Sequence, residues 1–208
     1  MRYLTKFIIL SFLFCNNSLS LIDELYDITW EKYDEYENKR VVFVGKSKDE
    51  KNEYIKIQQY VNFEKEILFS TIKNLDSYDQ IISNKNVKTK LIHVEKDTLY
   101  GYQLISNMIP FIRNRNYIFK MYKVNENRLD WLLLDRNNIL LSNYKGENNN
   151  TLNYGAGSWQ IKEDSLIVFR MYVDDEVNMP NAIINKIRIN SIINTFNDVI
   201  KKTQKEKK

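Results

Sequence analysis

Residues 179–202, MPNAIINKIRINSIINTFNDVIKK, predict one long amphipathic helix in the C-terminal part of the chain. Pro180 suits the first turn of a helix, where its missing N–H group costs no hydrogen bond. At about 100° per residue, two sets of side chains fall on nearly opposite sides of this helix. One set is Ile189, Ile193, Phe196 and Ile200, and the other is Ile183, Ile184, Ile187 and Ser191. This pattern is typical of a helix that lies partly over the mouth of a pocket, of a helix bent near residues 188–190, or of a plain core helix.

The chain before this helix has the alternating pattern of antiparallel strands. Six strands are predicted, at Val87–Glu95, Thr98–Ser106, Arg115–Val124, Arg128–Asp135, Leu152–Lys162 and Ser165–Val173. Polar pairs such as Lys96-Asp97 and Glu163-Asp164 lie at the breaks, as turns between neighbouring antiparallel strands do.

The N-terminal half predicts a mixture of helices and strands. Helices are expected at Leu21–Tyr36, Phe63–Ile72 (capped by Asn62) and Ser77–Ile82, and strands at Val41–Val44 and Glu53–Val61. The predicted fold is therefore α+β, with a curved antiparallel sheet wrapped around the long C-terminal helix. Such an arrangement encloses an internal hydrophobic cavity.

The composition indicates one globular domain. Hydrophobic residues make up 43% and charged residues 28% of 208 residues, which is ordinary for a folded domain. The formal charge of +4 falls to +2 without Arg2 and Lys6, and residues 201–208 contribute five lysines and one glutamate. The body of the domain is thus close to −2 and has no basic stripe, so a nucleic-acid partner is not expected.

Residues 1–20 have the features of an export signal. The apolar run Phe7–Phe14 follows a positively charged start, and Ser18-Leu19-Ser20 offers a cleavage site before Leu21. We predict that this segment is removed and that the protein is periplasmic or secreted. The predicted division is a signal peptide at 1–20, a ligand-binding domain at 21–202 and a basic tail at 203–208.

Two alternatives to simple cleavage remain open. The apolar run could stay as a membrane anchor, or Cys15 could be acylated, although Phe14 lies where a lipoprotein usually has a small residue. Cys15 is the only cysteine of the chain. Cleavage before Leu21 would leave a mature protein without disulfides or thiol chemistry.

Several stretches resemble the START family of lipid-transfer domains, within the helix-grip (Bet v 1-like) superfamily. The similar segments are Leu75-Asp76-Ser77-Tyr78, Pro110–Tyr117, Gly157-Ser158-Trp159 and Met179–Asn185. They follow the order of the family from about Trp30 to Ile200. The resemblance implies a lipid or sterol-like ligand. The chain departs from the family at Asn116, where an aspartate is usual, and at Gln103, where some relatives have an acid facing the pocket arginine.

The strand pattern predicts a row of ligand-binding side chains on one strand face. From Arg115, the residues on the same strand face are Tyr117, Phe119 and Met121. Such a row suits an amphipathic ligand whose tail lies on the apolar side chains and whose head lies at Arg115. The other predicted ligand-binding residues are Gln103, Tyr102, Trp159, Tyr172, Ile183 and Ile187. An ordinary core with Arg115 at the end of the sheet is the alternative.

Catalytic signatures are few. His93 is the only histidine, so a histidine-based metal site or catalytic triad is not expected. Gly155-Ala156-Gly157 lacks the third glycine of a nucleotide-binding loop. Asp174-Asp175-Glu176 is interpreted as a solvated loop before the helix, with a divalent-cation site as the alternative.

The leading hypothesis is therefore an exported protein that binds a lipid or other apolar small molecule, with lipid transfer as a further role, without a cofactor or metal and without catalysis. The lysine-rich tail is interpreted as an exposed helix end, with transient contact to anionic lipid head groups as the alternative. One alternative is a cyclase or hydrolase for a bulky apolar substrate, with His93 pointing into the pocket. Another is an envelope interaction protein with a solid core, which a cavity below roughly 300 Å³ would favour.

Overall fold

A ten-stranded sheet forms the body of the protein. The structure is a computed structural model that describes residues 21–46, 53–106, 113–144, 149–163, 165–174 and 181–207. The strands are β1 Trp30–Tyr36, β2 Arg40–Lys46, β3 Glu53–Tyr60, β4 Val87–Glu95, β5 Thr98–Ile105, β6 Asn114–Asn125, β7 Arg128–Leu133, β8 Asn149–Thr151, β9 Gly155–Lys162 and β10 Leu166–Val173. They pair in the order β1-β2-β3-β10-β9-β7-β6-β5-β4, and β8 pairs in parallel with β6.

The six predicted strands are present with nearly the predicted bounds. Their pairing is antiparallel, from β4 with β5 to β9 with β10. Lys96 and Glu163 lie in the turns of two of these hairpins with φ of 53° and 50°. The polar breaks in the pattern therefore marked the turns correctly.

In the described part of the chain, four helices accompany the sheet: α1 at 21–27, α2 Lys65–Lys73, α3 Tyr78–Ile81 and α4 Asn181–Glu206. Two 3₁₀ turns lie at Leu75–Ser77 and Ile139–Tyr144. Helix α4 packs against one face of the sheet, where Phe196 is fully buried against Trp159. This arrangement confirms the predicted helix-grip α+β fold. No helix within the described ranges is both long and apolar enough to cross a membrane.

The opposite, convex face of the sheet carries helix α1. Leu21 and Leu25 are buried there beside Leu132 and Ala156. The Tyr26 ring lies between two guanidinium groups of the sheet, those of Arg128 and Arg170, at 4.1 and 4.4 Å from its centroid. Its hydroxyl hydrogen-bonds with Ser158 Oγ at 2.7 Å. Helix α1 is therefore fixed to the outside of the sheet and leaves the inner face to α4.

Two predictions in the N-terminal half are wrong. The helix expected at Leu21–Tyr36 ends at residue 27, and residues 30–36 form the edge strand β1. Pairing with β2, through a turn in which Lys39 has φ of 58°, overrides the weak helical pattern. Asn62 does not cap the next helix, which begins at Lys65 without a side-chain cap.

The C-terminal helix is longer than predicted. Residues 203–206, assigned to a separate basic tail, continue α4, and Thr203 is fully buried. Thr71 Oγ1 donates to Glu206 Oε2 at 2.9 Å, and Lys207 Nζ donates to the carbonyl of Asn62 at 2.6 Å. Contacts with α2 and the loop before it therefore extend the domain beyond residue 202.

Candidate functional site

A cavity of about 470 Å³ lies between the concave face of the sheet and helix α4. Its volume falls in the range of small-molecule sites, roughly 300–1,000 Å³. The solid-core alternative is therefore not supported. The cavity reaches the surface beside the early turns of α4, where Ile187 and Ser191 line it and are also exposed.

Strand β6 supplies one wall of this cavity. Arg115, Tyr117, Phe119 and Met121 all line it, because alternate residues of a strand share one face. Arg115 is at the end of β6 that pairs with the last residue of β5, Ile105. From Arg115 to Met121 the strand advances about 20 Å. The structure therefore has the predicted row of one cation and three large side chains on the cavity wall. The role of this row in binding a ligand stays a prediction.

Two glycines make room for aromatic side chains of the cavity wall. A Cβ atom at Gly101 would lie 2.4 Å from Cζ of Phe119. A Cβ atom at Gly157 would lie 2.4 Å from Nε1 of Trp131. Both aromatic residues line the cavity. The glycines therefore let these rings lie flat on the neighbouring strand instead of filling the cavity.

Stacked aromatic rings form the inner end of the cavity. Trp159 of β9 and Phe169 of β10 both line it, with their ring centroids 4.2 Å apart. Behind them, Phe196 of α4 is parallel to Trp159 at 5.5 Å. This buried stack joins helix to sheet and makes the inner wall apolar.

A short hydrogen-bond chain crosses the middle of the wall. Tyr117 Oη donates to Gln103 Oε1, and Gln103 Nε2 donates to Thr89 Oγ1 at 2.8 Å. These two bonds tie the Gln103 amide to Tyr117 and Thr89. On another part of the wall, Tyr78 Oη donates to the carbonyl of Ile72 at 2.8 Å.

Two of the phenols that line the cavity, those of Tyr78 and Tyr117, are poor bases. Burial raises the pKa of Tyr117 well above its usual range, because the charged phenolate would lose its hydration. Burial raises the pKa of Tyr78 for the same reason, and nearby Tyr117 adds to the rise. Both groups are therefore neutral hydroxyls at physiological pH, suited to hydrogen bonding rather than proton abstraction.

Only some of the remaining predicted ligand-binding residues lie on the cavity wall. Gln103, Trp159 and Ile187 line the cavity. Tyr172 borders it, but its ring packs on the convex side against Tyr54, with centroids 4.8 Å apart. The side chain of Ile183 lies outside the described residues.

Tyr102 is placed away from the cavity. Its ring stacks on Tyr144 at 4.7 Å, and its hydroxyl accepts a hydrogen bond from Asn116. It alternates with Gly101 and Gln103 along β5, whose Cβ directions point to the cavity side. The side chain therefore points to the other face of the sheet, and this placement does not support the predicted ligand contact.

Sequence reasoning missed Glu53 and Arg188, which also line the cavity. Arg188 follows Ile184 by four residues and precedes Ser191 by three, so helical periodicity was a usable signal. Glu53 begins β3 and shares one strand face with Ile55, which also lines the cavity, so strand alternation was the usable signal.

His93 lies outside the cavity. It is exposed on the edge strand β4, and its nearest aromatic neighbour is Tyr100, with ring centroids 5.5 Å apart. The inward-pointing histidine required by the enzymatic alternative is therefore not found. Among the described residues no group of three or more His, Cys, Asp or Glu could hold a metal ion. Asp175 and Glu176 of the acidic loop lie outside those residues.

Solved structures share this arrangement at low sequence identity. A STAR-related lipid transfer protein of Xanthomonas axonopodis (fragment 25–204) matches with a TM-score of 0.68 at 10% identity, over 84% of this chain and 98% of that one. Human StAR-related lipid transfer protein 5 matches with 0.67 at 11% identity, over 86% and 88%. Human STARD10 matches with 0.65 at 14% identity, over 85% and 73%.

No protein-family model and no curated protein matches the sequence. The three-dimensional comparison nevertheless assigns the fold, because each match extends over more than four fifths of this chain. The protein has the helix-grip fold of START lipid-transfer domains.

Proposed function

We propose that this protein binds a lipid or another apolar small molecule in the cavity beneath α4 and does not change it chemically. The observation that carries the proposal is the cavity itself, about 470 Å³ with mostly apolar walls and an opening beside α4. The fold shared with lipid-transfer proteins of bacteria and humans adds support.

The energetics of such binding are favourable. Removing apolar surface from water contributes about 25 cal/mol per Å². A ligand that buries roughly 300 Å² would gain about 7 kcal/mol, from which the cost of losing its free motion is subtracted. Contacts to the polar groups at one end of the cavity would then set orientation and specificity rather than most of the affinity.

The proposal excludes catalysis on the basis of the side chains present. Tyr78 and Tyr117 hold their protons, and His93 lies outside the cavity. Glu53 is the one carboxylate that lines the described cavity wall. An acid–base pair facing a common reacting atom is therefore missing among those residues.

Native mass spectrometry of the purified protein tests binding. We expect a mass increment from a co-purified small amphiphile, which returns when the delipidated protein is incubated with a lipid extract. A protein that stays ligand-free in both measurements contradicts the proposal. Incubation with a range of thioesters and esters, followed by product analysis, tests the absence of catalysis.

We also propose that the protein is exported and exchanges its ligand with a membrane. Helix α4 and its lysines offer transient contact with anionic head groups, since Lys201 and Lys205 are exposed. These lysines lie about 21 Å and about 27 Å along the helix from Ile187 at the opening, at 1.5 Å per residue. The lysines would therefore help to attach the protein to the membrane. Ligand uptake would also require the cavity opening at Ile187 to contact the membrane surface.

Cell fractionation and N-terminal sequencing test export. A mature chain beginning at Leu21 in the periplasm or medium is the expected result. A cytosolic chain that retains Met1, or an acyl mass on Cys15, contradicts cleavage at this site. Transfer is measured separately, as the movement of a fluorescent lipid between donor and acceptor vesicles with and without the protein.

A further inference from the structure

The charged groups of the cavity wall lie on different elements. In the described part of the wall they are Arg115 of β6, Arg188 of α4 and Glu53 of β3. The walls therefore carry two guanidinium groups and one carboxylate. A guanidinium is always protonated and has five N–H donors. It can therefore bind several acceptors at the same time.

The polar residues cluster at one end of the cavity. Ser106 follows the last residue of β5, and its N–H group donates to the carbonyl of Asn86 at 2.8 Å. Arg115 lies beside Ile105, the residue before Ser106. Met121 and the stacked rings of Trp159 and Phe169 lie away from this end. The end of the cavity at Arg115 and Ser106 is therefore polar, and the end at Trp159 and Phe169 is apolar.

We infer that the ligand is a single-chain amphiphile with an anionic head group, a carboxylate, sulfate or phosphate, bound by Arg115 and Arg188. This inference rests on the proposed function and specifies its ligand. Arginine is suited to the role because its planar fork donates two parallel hydrogen bonds to such an anion. The two arginines come from the sheet and from the helix, so the head group would join the two layers of the fold.

The dimensions of the cavity favour one chain over two. A methylene group occupies about 30 Å³, close to the share of one water in the liquid. The cavity of about 470 Å³ therefore holds on the order of 16 such groups, and two chains of that length need twice the volume. Its length along β6, about 20 Å, accommodates an acyl chain that spans one leaflet, about 15 Å.

Displacement of Nile red, a neutral apolar dye, tests the inference on the purified delipidated protein. We compare hexadecanoate with hexadecanol, which have the same chain and differ in head-group charge. Dipalmitoyl phosphatidic acid adds an anionic head on two chains. We expect hexadecanoate to bind at least about tenfold more tightly than each of the others, since hydrogen bonds to charged groups contribute about 1.5–3 kcal/mol.

Two variants locate the head group. R115Q and R188Q should each reduce the preference for hexadecanoate over hexadecanol by at least about threefold, because each removes one charged donor pair. Lys186→Gln is the matched control, since Lys186 is exposed on α4 and does not line the cavity. The affinity for Nile red itself reports whether each variant still forms the cavity.

The outcomes separate the inference from the proposed function. Equal affinity for hexadecanoate and hexadecanol overturns the anionic head group, and equal affinity for the phosphatidic acid overturns the single chain. In both cases the cavity still binds lipid. A protein that binds neither Nile red nor any of the three amphiphiles overturns the proposed function as well.

Discussion

Closing the cavity opening with Ser191→Trp is the most direct test of where the ligand binds. Ser191 lies on α4, lines the cavity and is exposed to solvent. An indole at this position can turn into the opening without displacing a buried side chain. Substitutions at exposed positions usually change the free energy of unfolding by less than about 0.5 kcal/mol. Binding should therefore change while stability does not.

The expected loss of affinity follows from the surface that the indole occupies. An aromatic side chain buries about 150–250 Å² when it is enclosed. Because Ser191 is at the edge of the cavity, we take half of the lower value, about 75 Å², as the ligand surface that is excluded. At about 25 cal/mol per Å² this area corresponds to about 2 kcal/mol, or roughly thirtyfold in Kd.

The assay is a fluorescence titration with Nile red, which carries no charge and so reports the apolar cavity alone. Asn190→Trp is the matched control, because Asn190 is the preceding residue, is exposed and does not line the cavity. We expect wild-type affinity in the control and a Kd raised by about thirtyfold in Ser191→Trp. Wild-type affinity in both variants, or an equal loss in both, would show that the dye does not enter beside α4.

Three further predictions concern stability and titration. Phe196→Ala should lower the free energy of unfolding by about 3–5 kcal/mol, because it empties the stacked inner end of the cavity; urea denaturation measures this, and Asn194→Ala on the exposed side of α4 should change little. Gly157→Ala should lower the free energy of unfolding by about 1–3 kcal/mol by overpacking against Trp131. In a double-mutant cycle, the same substitution should cost much less when Trp131 is already alanine. Burial and neighbouring cations lower the pKa of Lys56 from 10.5 to about 8. Since the unfolded chain then binds more protons at Lys56, this residue contributes a rise in the free energy of unfolding between pH 8 and 10.5. The pH profile of a Lys56→Met variant should lack this contribution relative to the wild type; identical slopes in the two proteins contradict the assignment.

The pattern of local alternation predicted most of the strands and part of the cavity wall. The row from Arg115 to Met121 could be identified because successive side chains of a strand point to opposite faces. On β10 the prediction named Tyr172, whereas the structure places Phe169 and Met171, on the alternate positions, along the cavity wall. Alternation cannot say which face is the inner one, and of the adjacent residues Tyr102 and Gln103, both predicted as ligand-binding, the structure places Gln103 on the cavity wall.

The pairing of β1 and the end of α4 could not be predicted from local patterns. Residues 30–36 have a weak helical pattern, but hydrogen bonds to β2 hold them as an edge strand. The extension of α4 to Glu206 likewise depends on contacts with α2, including the hydrogen bond from Thr71. In both cases, residues distant in the sequence supply the interaction that selects the local structure.

The sequence by itself determined the order of the strands, the turns between them and the long amphipathic helix from Pro180 onward, because these depend on the side chains of a few consecutive residues. Only the tertiary structure decided that helix α4 leaves an open volume at its early turns while Phe196 closes the inner end. It also decided that Arg188 of the helix lines the same volume as Arg115 of the sheet. A cavity is a property of surfaces from distant segments, so its shape and charge arise only when those segments pack together.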